Sequence, residues 1–124
     1  MNLIPIKSTG IAAVLVKEIN NTYHVLLLKR SSHTLNNTWC YIGGGIEEGE
    51  TAVEAAYREI QEETGITELE LYSSNQFDQI FSPHENYIYI APVFVGFVKE
   101  DQPVILNDNI VNISGSPLKK QKRL

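Results

Sequence analysis

The stretch from Gly43 to Ile66, GGGIEEGETAVEAAYREIQEETGI, constrains this chain more than any other. Seven of the fifteen acidic residues lie between Glu47 and Glu63, against one basic residue there, Arg58. Thr51 and Glu54 have the spacing of a capping box, and Gly65 stands where a helix closes on a left-handed glycine. A helix of roughly three turns is expected between them. At about 100° per residue, Glu59, Glu62 and Glu63 fall within one arc of that helix. Val53, Ala56, Tyr57, Ile60 and Thr64 form a separate stripe, expected to face the core. Carboxylates spaced i, i+3 and i, i+4 repel one another and raise the free energy of the bare helix. A bound cation relieves that repulsion, and an all-oxygen cluster suits a hard ion such as Mg²⁺. A solvated acidic face is the other reading of the same glutamates.

Composition narrows the class. A chain of 124 residues accords with one domain and one packed core. Hydrophobic content of 43% and charged content of 20% are ordinary for a globular protein. No apolar run reaches the ~18 residues of a membrane span, so no membrane partner is expected. The N-terminal MNLIPIKSTG lacks the charged start and long apolar core of a secretory signal. Cys40 is the only cysteine, which excludes an intrachain disulfide and points to a reducing, cytoplasmic setting. A net charge of −5 argues against sequence-independent binding along a nucleic-acid backbone. It leaves open a polyphosphate substrate, whose charge an accompanying metal largely neutralises.

Along the chain, Gly10 to Val16 reads as a buried strand and Tyr23 to Lys29 as its partner, with Lys17 to Thr22 as a polar hairpin turn. Arg30 ends the second strand, either as a surface charge or as a guanidinium contact to phosphate. Ser31 to Thr38 is a polar loop. Trp39 to Ile42 forms a short strand that leads into a loop of Gly43, Gly44 and Gly45, whose backbone freedom, with Gly49, lets the chain turn into the helix. After the helix, Leu69 to Ser74 and Gln76 to Phe81 read as strand segments, broken at Ser82-Pro83. Tyr87 to Val98 is a long apolar strand in which Pro92 should mark an edge or a bulge. Val104 to Leu106 is a last short strand. His24, His33 and His84 lack metal-ligand spacing and read as structural or surface residues. Beyond residue 106 the period is lost, and Lys119 to Arg123 carries four of the ten basic residues. The reading is therefore a domain over 1–106 and a frayed polar and basic tail over 107–124.

Gly44, Glu50 and the run Arg58-Glu59-Ile60-Gln61-Glu62-Glu63-Thr64-Gly65-Ile66 match the Nudix box, G-x5-E-x7-R-E-U-x-E-E-x-G-U, at every fixed position. Nine specified positions over 23 residues make this a selective signal, and over about residues 9 to 106 the chain resembles the Nudix hydrolases. Ile42 stands where that family usually has proline. The family's closing strand, with a Trp-Val-like pair, and its C-terminal helix are not legible after Leu106. A sheet face left uncovered would be sticky, so a homodimer or marginal stability is expected.

The resemblance implies an α/β fold, an α/β/α sandwich with a mixed sheet, in which the box forms a loop-helix-loop holding divalent cations. It implies Glu59, Glu62 and Glu63 as metal ligands, with the Gly44 carbonyl as a further one and Mg²⁺ or Mn²⁺ as the ion. Arg58 would orient the catalytic Glu59, and Glu50 would fix the loop. The general base is Glu59 or a carboxylate outside the box, with Glu85, Glu100, Asp101 and Asp108 as candidates. The implied reaction is hydrolysis of a nucleoside diphosphate linked to another group, foremost a (deoxy)nucleoside triphosphate to monophosphate and pyrophosphate. Phe77 to Val98 is similar to the branch acting on dATP and dihydroneopterin triphosphate. A nucleotide-binding sensor without turnover and a truncated, inactive domain are the alternatives.

Overall fold

A computed structural model describes residues 2–19, 21–30, 39–99 and 110–117, with side chains at 2–18, 21–27 and 41–99. The elements are β1 (Ile6–Lys7), β2 (Gly10–Ile19), β3 (Thr22–Arg30), β4 (Trp39–Cys40), β5 (Ile42–Gly45), α1 (Ala52–Thr64), β6 (Leu69–Ser82), β7 (Tyr87–Val98) and β8 (Ile110–Pro117). The eight strands form one mixed sheet, with α1 against one face. α1 is the helix among the described residues.

β2 is the middle of the sheet. One edge runs parallel to β7, from Ala12↔Val93 to Lys17↔Val98. Antiparallel partners β3, over Leu15 to Ile19, and β5, over Gly10 to Ala13, complete its pairing. β2 is buried on both faces: Ile11, Ala13 and Leu15 on the α1 side, Ala12 and Val16 on the other. Around the first set, Leu26, Ile42, Phe94 and Val98 meet Ala55, Ala56, Ile60 and Ile66 in a single core.

Several local expectations are revised. The β2–β3 hairpin is tighter than Lys17 to Thr22, because pairing continues to Ile19↔Thr22. Asn21 takes φ 63° there, a conformation asparagine tolerates in such turns. The three glycines are strand, not loop: Gly43, Gly44 and Gly45 pair with Ala12, Ile11 and Gly10. The segments on either side of Asn75 are one strand, β6, interrupted by a bulge at Ser74 and Asn75, where the Ser74 hydroxyl donates to the Val93 carbonyl at 2.6 Å. Pro92 is not at an edge but inside β7. It falls between the residues paired to β1 (Ile88, Tyr89) and those paired to β2 (from Val93), so its missing N–H breaks no ladder bond on that side.

Ile110–Pro117, read from sequence as part of an irregular tail, is strand β8 along β3, from His24↔Pro117 to Arg30↔Ile110. An open strand edge offers backbone partners to a segment without a side-chain period of its own. Val104 to Leu106 and residues 118–124 lie outside the described residues. No helix among the described residues is long and apolar enough to cross a membrane.

Candidate active site

α1 starts and stops where its local chemistry directs. Thr51 accepts from the Glu54 N–H at 3.2 Å, and Glu54 accepts from the Thr51 N–H at 3.3 Å, completing the capping box. Gly65 closes the helix at φ 76°, its N–H donating to the Gln61 carbonyl at 2.8 Å. The buried face differs from the expected stripe. Val53 and Tyr57 are 49% and 41% exposed, whereas Ala55, Ala56, Ile60 and Thr64 are buried. The helix packs against β2 and β5, and this turns its inner face toward the glutamates. The acidic arc and the core stripe are thus not separate: Glu63 is itself buried, Glu59 is largely covered and Glu62 is exposed.

Arg58 is the centre of the cluster. Its Nε donates to Glu50 Oε2 at 2.8 Å and its Nη2 to Glu50 Oε1 at 2.9 Å, a two-pronged contact suited to the planar guanidinium. Nη2 also donates to the Gly45 carbonyl at 2.8 Å. Nη1 donates to Glu59 Oε1 at 2.8 Å and Glu62 Oε2 at 3.2 Å. Glu50 is held in turn by the Glu47 N–H at 3.0 Å. The Arg58 hydrogen bonds hold the Glu50 carboxyl below its ordinary pKa, with the Glu47 N–H adding to the effect. The same bonds from Glu50 and Glu59 raise Arg58 further above its already high value. A residue that links the loop, β5 and α1 fixes where the helix carboxylates point.

Gly44 completes the arrangement. A Cβ there would overlap the Glu59 carboxylate, so the strand can lie over that group only because residue 44 has no side chain.

These residues fit a divalent cation in their donor chemistry. Glu59 and Glu62 already converge on one positive group, Nη1 of Arg58, and every donor is a hard oxygen. Among the described residues, no three His, Cys, Asp or Glu side chains form a finished metal cage. Mg²⁺ does not need one, because it binds through one or two carboxylates, waters and substrate phosphates.

On the face of the sheet away from α1 lies a cleft of about 300 Å³, lined by Tyr41, Gly43, Asp78, Ile80, Tyr89 and Ala91 among others. Gly43 borders it and the next residue, Gly44, shelters Glu59. Tyr41, Asp78 and Tyr89 were not singled out from sequence. They lie far apart in the chain, and strand pairing alone brings them together; their only advance signal was strand alternation. Of the expected site residues, Glu50, Arg58, Glu59 and Glu62 are brought into direct contact and Gly44 adjoins them, while Glu63 lies on the buried side. Arg30 ends β3, and its side chain lies outside the described ones. Glu85 sits in the exposed turn between β6 and β7, remote in sequence from the cluster. Glu100, Asp101 and Asp108 lie outside the described residues.

Residues 9–113 match the family model of the NUDIX domain. Among characterised proteins, the chain is 49% identical over 57 residues to the m7GpppN-mRNA hydrolase NUDT17 of Xenopus laevis, covering 44% of this chain and 18% of that one. It is 37% identical over 63 residues to an RNA pyrophosphohydrolase of Helicobacter pylori, covering 50% and 39%. The chain thus spans well under half the length of these relatives. Among solved structures, the MutT protein of Methanosarcina mazei superposes with a TM-score of 0.68 at 28% identity, covering 89% of this chain and 75% of that one. With the box matched in sequence, the mixed sheet and capped helix matched in structure, and the family model spanning most of its length, this chain belongs to the NUDIX domain family.

Proposed function

We propose that this protein hydrolyses a phosphoanhydride in a nucleoside diphosphate linked to a further group, foremost a nucleoside triphosphate, releasing monophosphate and pyrophosphate with Mg²⁺. The observation that carries this reading is the Arg58-centred array, which gathers Glu50, Glu59 and Glu62 beneath the glycine strand. The names of the two relatives, a hydrolase and a pyrophosphohydrolase, support the reaction type.

Glu59 and Glu62, with Glu63 and the Gly44 carbonyl, are the residues to hold the ion. When bound, Mg²⁺ neutralises diphosphate charge and makes a water more acidic. Arg58 acts as a positioning residue, and Glu50 keeps it in place. On this reading Glu59, which is largely covered and accepts a hydrogen bond from Nη1, takes the proton of the attacking water. The cleft takes the nucleoside portion, so that the phosphates extend past β5 toward the carboxylates.

The test is turnover of a nucleoside triphosphate and dinucleotide panel, with and without Mg²⁺, resolving pyrophosphate from phosphate release. Glu62→Gln serves as the control. Metal-dependent release of pyrophosphate, lost in Glu62→Gln, is the expected result. Silence across the panel from folded protein would overturn the reading and favour a nucleotide sensor.

A further inference from the structure

The cleft is lined by residues outside the box. Its floor is built from small residues, Gly43 on β5 and Ala91 on β7, which leave room above the sheet. Ile80 stands directly across from Tyr89 in the β6–β7 ladder, and Asp78 directly across from Ala91. Two aromatic rings, Tyr41 and Tyr89, border the same space. Asp78 is the one ionisable carboxylate or cation among the described lining residues. A flat ligand can therefore lie against a tyrosine ring while its edge meets a carboxylate placed over a small-residue floor.

A carboxylate only accepts hydrogen bonds, and it accepts two side by side. Among the nucleobases, guanine presents two adjacent donors on its pairing edge, N1–H and the 2-amino group. Adenine offers its 6-amino donor beside the N1 acceptor, so one lone pair would face a carboxylate oxygen. Cytosine has the same mismatch, and uracil has a single N–H flanked by two carbonyls. Building on the nucleotide reading above, we propose that Asp78 makes this cleft selective for guanine nucleotides. It acts as a specificity determinant on β6, outside the Nudix box, and takes no part in the chemistry.

Equilibrium binding of GMP, IMP and AMP to the full chain, measured by calorimetry, tests the proposal beside turnover of GTP and ATP. GMP should bind roughly tenfold to a hundredfold more tightly than AMP, the range expected for one bidentate contact. IMP, which lacks the 2-amino donor, should fall between them. Asp78→Asn replaces two acceptors by one acceptor and one donor, so it should weaken GMP and strengthen AMP. Asp78 is exposed in a strand, and an unchanged circular dichroism spectrum and melt will show that the variant folds. Equal affinity for GMP and AMP, or a preference unaltered in Asp78→Asn, would overturn the proposal, and so would failure of folded protein to bind any of the three. Turnover of GTP and ATP without selectivity would sink the role of Asp78 and leave the hydrolase reading intact. Selective GMP binding without turnover would do the reverse.

Discussion

The carboxylate of Glu59 occupies the space that a side chain on Gly44 would fill. The two residues are fifteen positions apart, and their contact is made by strand β5 crossing the inner face of α1. Because the overlap is with the far end of a flexible side chain, Gly44→Ala should be accommodated by displacing the carboxylate, with the strand kept in place. On the hydrolase reading, metal-dependent turnover should fall by about a hundredfold, the scale of a misplacement near 1 Å. The melting temperature should stay close to that of the parent. Turnover near the parental rate would show that the position of Glu59 is not set by this contact.

Arg58 joins Glu50 on the loop to Glu59 and Glu62 on the helix, and its geometry depends on all three being charged. Arg58→Lys keeps a positive charge but loses the planar fork. Turnover should drop by about one to two orders of magnitude with most of the loss in kcat, since orientation, not charge, is what disappears. A change confined to KM would point to Arg58 as a substrate contact instead.

The clamp also predicts a pH dependence of stability. Glu50 has a folded-state pKa held below its ordinary 4.5 by Arg58. A lowered carboxylate contributes fully above its unfolded pKa and loses that contribution as pH falls through the folded one. The stabilisation is thus present above about pH 4.5 and lost progressively below it. Glu50→Gln should be less stable near neutrality, and its melting temperature should fall less steeply than the parent's on acidification below that value. Parallel curves for the two proteins would remove Glu50 as a source of the effect.

Ile60 is fully buried in the core between α1 and the sheet. Ile60→Ala should destabilise the fold by about 2–5 kcal/mol, the usual cost of a large-to-small change in a packed site. Denaturant titration reads this as a lower midpoint with little change in slope. At the helix start, Thr51→Ala should cost about 1 kcal/mol by removing the acceptor for the Glu54 N–H. If the two variants are equally stable, the helix is docked less tightly than its burial states.

The limits of sequence reading are visible in α1 itself. Its ends were legible because capping is local: Thr51, Glu54 and Gly65 act on backbone groups within a few residues. Its inner face was not. Periodicity identified which residues share a side of the helix, but the amount of rotation toward the sheet depended on where β2 and β5 lay. The expected stripe therefore included Val53 and Tyr57, which are exposed, and kept Glu63 apart from a core it enters. β5 teaches the same lesson from the other direction. Three consecutive glycines carry no strand propensity, yet pairing with β2 makes them strand.

The sequence by itself determined the family, the position of the helix and the identity of the acidic cluster, because each rests on residue types at fixed short spacings. Tertiary structure alone decided that Arg58 reaches the Gly45 carbonyl on β5, that Gly44 shelters Glu59, and that Tyr41, Asp78 and Tyr89 share one cleft. These relations join side chains from different strands and from the helix. Their distances follow from sheet register and helix docking, which depend on the packing of the whole core and not on any local run of residues.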